Sequence, residues 1–169
     1  IVNGMKINAL PLGTDISKPM SMIELNIEAV PEGLAPKDAY KLTLYFISKS
    51  GGYLVPVTRL VAQKPDAEMA IRELLKGPMN TGRLSAVFPE GTRLLDVKCD
   101  TGDYIQLNFS KEFSALKDNP EMEKLALKAI MLTVGQFEGT ESVIIKVEGK
   151  EYVPSKGQEV VTTFVNEYE

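Results

Sequence analysis

Two runs of strict alternation, set on either side of a short turn, constrain this chain more than any other feature. Leu95, Val97 and Cys99 alternate with Asp96 and Lys98; beyond Asp100-Thr101-Gly102-Asp103, Ile105, Leu107 and Phe109 alternate with Gln106 and Asn108. Successive side chains of a strand point to opposite faces, so each run has one dry side and one wetter side. The pattern predicts an antiparallel hairpin laid on a core, with Cys99 inward beside Leu95 and Val97. A second hairpin is expected upstream. Lys41 to Ile47 is rich in β-branched and aromatic residues, Ser48 to Gly52 is a glycine-containing turn, and Tyr53 to Val61 is the returning strand. Pro56 removes one ladder donor there and points to an edge position or a local break.

Between and after the hairpins the period changes from two to that of a helix. Ala67, Ala70, Ile71, Leu74 and Leu75 form one apolar stripe, with Asp66 as the expected N-cap and Gly77-Pro78 as the stop. Asn119-Pro120 opens a longer helix to about Phe137, whose core face is Met122, Leu125, Ala126, Ala129, Ile130, Leu132 and Phe137. Glu121, Lys124 and Lys128 lie off that face. Leu127, Met131 and Val134 fall on roughly the opposite side, where a helix buried on one face should be polar. The expected cover for these three is the chain's own tails, the adjacent repeat, or another subunit at an interface. Val143 to Val147 is the last strand. The order β-β-α-β-β-α-β predicts an α+β fold, a mixed and mostly antiparallel sheet with two helices packed on one face.

At 169 residues there is chain to spare beyond one such domain. Its two ends resemble each other. Val2-Asn3-Gly4-Met5-Lys6 recurs as Val147-Glu148-Gly149-Lys150-Glu151, and Pro11 followed by Gly13-Thr14-Asp15-Ile16 recurs as Pro154 followed by Gly157-Gln158-Glu159-Val160. A β-rich segment follows each, Met22 to Ile27 and Thr162 to Val165. The expected organisation is therefore a tail of a preceding copy of the domain over 1–20, a strand and linker over 21–39, one full domain over 40–150, and a C-terminal extension over 151–169. The chain starts at Ile1 rather than methionine and reads as a fragment, with any signal or anchor expected upstream.

Several of these segments together resemble one family. They are Tyr45-Phe46; Gly52-Tyr53-Leu54-Val55-Pro56-Val57-Thr58-Arg59; Leu74-Leu75-Lys76-Gly77-Pro78; Phe88-Pro89-Glu90-Gly91-Thr92-Arg93-Leu94-Leu95; Gly102 through Phe113; and Val143-Ile144-Ile145-Lys146-Val147-Glu148-Gly149. In this order, over about Lys41 to Lys150, they are similar to the GerM, or germane, domain family. The resemblance implies a sporulation and germination protein exported as a lipoprotein, carrying two domain copies and working between mother cell and forespore. It also implies a fold like that of ring-building motifs, and a second role beside cell-wall amidases as a ligand-binding accessory. It brings no catalytic residues.

The residues themselves limit the chemistry. There is no histidine, which removes His-based triads, bases and metal ligands together. A net charge of −4 argues against sequence-independent nucleic-acid binding. Ser114-Ala115-Leu116-Lys117 fits S-x-x-K, but the S-D-N and K-T-G that accompany it in penicillin-recognising enzymes are missing. Asp96, Asp100 and Asp103 lack the spacing of a calcium loop. No cofactor or metal is expected, and no enzymatic activity. Arg59, at the end of its strand, either holds an anionic ligand or a neighbour's carboxylate, or is a solvated edge residue. The expected function is assembly by protein–protein docking, through self-association or with other envelope proteins, with Leu127, Met131 and Val134 as the candidate contact. The alternative is a module that binds peptidoglycan, which would use a polar groove with aromatic rings nearby.

Overall fold

The computed structural model describes residues 27–29, 38–99, 104–138, 140 and 142–155. The upstream hairpin forms as its composition requires. β2 (Tyr40–Ser48) and β3 (Leu54–Val61) pair antiparallel in unbroken register from Tyr40 opposite Val61 to Ile47 opposite Leu54. Pro56 is tolerated because β1 (Ile27–Ala29), which lies parallel to β3 on its other side, pairs only at Thr58 and Arg59. β4 (Leu84–Ser85) adds to the far edge of β2, giving the order β1-β3-β2-β4.

The downstream hairpin, β5 (Leu94–Cys99) and β6 (Tyr104–Phe109), belongs to a separate sheet. β7 (Ser142–Val147) runs parallel to β6, and β8 (Lys150–Glu151) returns antiparallel to β7, giving the order β5-β6-β7-β8. The turn from β7 to β8 uses Glu148 and Gly149, both at positive φ (50° and 78°), the conformation that suits a two-residue hairpin. The expectation of one sheet is thus corrected, among the described residues, to two sheets of four strands. The sequence pattern marks strands but not which hairpins share a ladder, and the two hairpins here never pair. The α+β class and the mixed, mostly antiparallel pairing stand.

Both helices begin at the expected caps. In α1 (Ala67–Leu75) the Asp66 carboxylate accepts from the Met69 N–H at 2.8 Å, and Gly77 follows the helix at φ 78°. In α2 (Pro120–Val134) the Asn119 side chain accepts from the Met122 N–H at 3.2 Å, with Pro120 in the first turn. α2 stops at Val134, short of Phe137. A 3-10 helix, Lys111–Asp118, which periodicity did not suggest, precedes it.

One core joins both sheets with α1, α2 and the 3-10 helix. Leu42, Leu44 and Phe46 from the first sheet share it with Ile105, Leu107 and Phe109 from the second, and with Ile71, Leu74 and Ile130 from the helices. Phe109 stacks on Phe113 with ring centroids 4.6 Å apart, and Tyr152 meets Phe113 edge-on at 5.0 Å. Tyr152 lies beyond the expected boundary at residue 150, so the packed unit extends into the predicted C-terminal extension. α2 packs against β2, α1 and the 3-10 helix, which leaves only a narrow strip, with Glu121, Lys124 and Lys128, facing water. Just past its end, Gln136 bonds the backbone of Thr43 in both directions: its Nε2 donates to the Thr43 carbonyl at 2.8 Å and its Oε1 accepts from the Thr43 N–H at 3.0 Å.

Candidate functional site

Arg59 sits at the meeting point of β1, β3 and the end of α1, and its side chain is buried. Its Nη1 donates to the Glu73 carbonyl at 2.9 Å and to Glu73 Oε2 at 3.0 Å. Its Nη2 donates to the Gly77 carbonyl at 2.9 Å and to Glu28 Oε2 at 2.7 Å. The guanidinium carbon lies 5.9 Å from the centre of the Phe46 ring. Four of the five N–H groups are therefore spent on the chain itself; the fifth, on Nε, is buried without a partner among the described residues. The bland reading of Arg59 as a solvated edge residue is overturned: β1 and β2 flank its strand, and α1 closes over it. The carboxylates it holds are the chain's own, Glu28 and Glu73.

Two carboxylates share that cation and they differ. Glu73 also takes Lys76. Burial pushes the Glu73 carboxyl up, but the bonds and charges of Lys76 and Arg59 outweigh it and hold the group below its usual value. Glu28 comes from β1, the first strand among the described residues. Its second oxygen accepts from the backbone N–H groups of Met79 and, at 3.0 Å, Asn80. A guanidinium and two converging amides form a receptor for one carboxylate, and this receptor is built wholly by residues 59–80. Beside it opens a cleft of about 670 Å³ lined by Leu60, Gln63, Met69, Lys76 and Pro78.

A second buried acid ties down the other end of the domain. Glu123 is fully buried on α2; it accepts from the Tyr152 hydroxyl and from the Ser155 N–H at 3.1 Å. Burial, then the bond to Glu123 and its charge, push the Tyr152 phenol far above its usual value. Lys117 lies over the Tyr152 ring, 4.8 Å from its centre. A third polar region is a cleft of about 650 Å³ between the β2–β3 turn and the loop before β4. Ser48, Lys49, Tyr53, Asn80 and Arg83 line it, and the Tyr53 ring is half exposed above Gly51.

Residues 43–153 match the Germane family, whose description is sporulation and spore germination. The chain belongs to this family. It is 30% identical, over 169 aligned residues, to the spore germination protein GerM of Bacillus subtilis (strain 168); the match covers 94% of this chain and 46% of that protein. The chain thus spans about half the length of that relative. Among solved structures it is similar to the tandem GerMN domains of the sporulation protein GerM from Bacillus subtilis, at 29% identity and a TM-score of 0.62, over 95% of this chain and 58% of that one. The first GerMN domain of the same protein shares the fold at 24% identity and a TM-score of 0.53, over 67% of this chain and 86% of that one. These names denote sporulation and germination rather than a reaction.

On this Germane domain the other expected positions fall as follows. Leu127 and Val134 are buried in the shared core, and Met131 packs against it half-buried. The chain's own elements cover the second apolar face, so it is not an open contact surface. The helix is apolar nearly all round because it lies between layers. Cys99 lies on the expected face, opposite Ile105, but is exposed, and Leu95 is 46% exposed. A bulge displaces Leu95: Leu94 pairs with Phe109 and Asp96 with Asn108, so Leu94, not Leu95, takes the core side, while Val97 and Cys99 stay opposite the buried Leu107 and Ile105. Cys99 then sits at the outer end of an edge strand, where partial burial, Asp66 and Glu68 raise its thiol pKa. Ser114 and Lys117 lie on the exposed side of the 3-10 helix. The Asp100–Asp103 turn, the repeated segment over 1–20 and the β-rich stretch Thr162–Val165 lie outside the described residues. Glu28, Glu73 and Glu123 went unmarked in the sequence reading. For Glu123 a signal exists: it stands four residues before Leu127, on the same stripe as Leu127, Met131 and Val134, so a carboxylate completes an otherwise apolar face.

Proposed function

We propose that this Germane domain is a non-catalytic docking module of an envelope complex in sporulating cells, working by protein–protein contact with other envelope proteins or with further copies of itself. Family membership supports the sporulation role. The observation that carries docking is β1: the first sheet is completed by a short strand from upstream of the compact domain, pinned by Glu28 to Arg59. A sheet that accepts an added strand through main-chain pairing and one side-chain pocket uses a known mode of peptide recognition. Export and a lipid anchor outside this chain belong to the same reading. Among the described residues no helix is long and apolar enough to cross a membrane.

Sedimentation velocity on this chain and on a fusion of two copies tests it. Association that grows with concentration, and is stronger in the fusion, is the expected result. Monomers in both, with no partner captured from sporulating cells by cross-linking, would refute it. A second reading, binding of peptidoglycan, is favoured by the polar cleft with Tyr53, Lys49 and Arg83. Depletion of the protein from the supernatant by insoluble cell wall, abolished by Tyr53→Ala, would select that reading.

A further inference from the structure

The carboxylate of Glu28 is held as a ligand is held. Its side chain is 6% exposed, although it belongs to a strand of three residues, and every donor around it comes from the body of the domain. The receptor has supports that do not involve Glu28. Arg59 is fixed from behind by the carbonyls of Glu73 and Gly77 and by the Glu73 carboxylate, and the Met79 and Asn80 amides sit in the loop that follows α1. Among the described residues the backbone of β1 adds the pairs Ile27 to Thr58 and Ala29 to Arg59, with a register irregularity between them. So short a strand has little ladder to hold it, and the buried ion pair supplies its specificity.

We infer that the Arg59 pocket is a recognition site for an acidic side chain presented on an extended strand, that Glu28 is its resident occupant, and that the β1 segment of a second copy of this chain is the occupant that replaces it. This deepens the docking reading and rests on it for the identity of the partner. A parallel strand pairing with β3 at Thr58 and Arg59 carries its acid to the same three donors whichever copy it comes from. Tethering raises the effective concentration of the resident strand to the millimolar range, so exchange in trans is suppressed until the resident strand is weakened or copies are held close together.

The test uses the full chain and a fluorescent peptide of residues 22–33 as probe. Glu28→Pro removes both the resident carboxylate and its ladder; Glu28→Gln removes the charge alone and serves if the proline variant does not fold. The vacated chain is expected to bind the peptide saturably, at least ten times tighter than the unaltered chain does. A peptide with Gln at position 28 should bind about ten to a hundred times more weakly, as loss of a hydrogen bond to a charged group requires. Equal binding of the two peptides, or binding of neither to a vacated chain with a native circular dichroism spectrum, overturns the inference. The peptide readout needs no self-association, so those results leave docking to be sought on another surface. Peptide binding intact in a chain that stays monomeric and captures no partner would instead overturn docking while keeping the receptor.

Discussion

Replacing Leu127 with alanine separates a core helix from an interface helix. Leu127 is 6% exposed and belongs to the cluster that joins both sheets. The change removes three carbons, about 2.4 kcal/mol at ~0.8 kcal/mol per buried methylene. The cavity left behind raises that toward 3 kcal/mol or more, because a close-packed surround relaxes only in part. For a chain of this size that is a fall in melting temperature of roughly 6–12 °C, at ~2–4 °C per kcal/mol. Urea unfolding followed by circular dichroism measures it, repeated at low and high protein concentration. The midpoint should drop with the slope unchanged, by the same amount at both concentrations. A loss below about 0.5 kcal/mol in dilute protein, as for an ordinary surface change, growing as protein is added, would show that a second molecule covers this face and that the burial argument is wrong.

Arg59→Met leaves the buried carboxylate of Glu28 without its cation, while Glu73 keeps Lys76, and should cost about 3–5 kcal/mol; combined with Glu28→Gln the losses should be less than additive by urea unfolding, and full additivity would deny the ion pair. Tyr152 keeps its proton in the folded state well past its ordinary pKa of 10.0. The unfolded chain therefore ionises first as pH rises, and stability that is level below about pH 10 should fall above it. Melting curves from pH 8 to 12 check this, and Tyr152→Phe should flatten the alkaline fall. Cys99 is accessible but its thiol pKa is raised, so iodoacetamide should label the native protein fully without denaturant, yet more slowly at pH 8 than a free cysteine does. Protection until unfolding would restore the inward placement.

What could be read in the chain follows from how local each signal is. Asp66 and Asn119-Pro120 act on amides three residues away, and both caps are where the pattern put them. The two strands of each hairpin stand only a few residues apart in the chain, so alternation and composition sufficed. The bulge at Leu95 was not visible, because one inserted residue leaves the alternation intact while moving Leu94 to the core side. β4, with two residues, and β1, with three, are too short to carry a period. The division into two sheets depends on β7 reaching β6 in parallel across the whole of α2, a pairing with no local mark. The candidate site shows the same limit. Arg59 stood out as a charged residue ending a strand, but its partner Glu28 lies 31 positions upstream. The apolar side of Leu127, Met131 and Val134 was legible as a face needing cover, while what covers it was a question of tertiary packing.

The Gln136 amide bonded both ways to Thr43 bears on solubility as well as on stability. Strand edges with open amides and carbonyls invite a neighbour's strand, and proteins that remain dispersed must blunt them. Here one side chain does at Thr43 what an added residue of strand would do, occupying the donor and the acceptor together. A carboxylate at position 136 could still accept but could no longer donate, leaving the Thr43 carbonyl open. Deamidation of this single glutamine would therefore convert a closed margin into a sticky one with almost no change in the shape of the fold, so that aged or heat-stressed protein would aggregate before it lost its secondary structure.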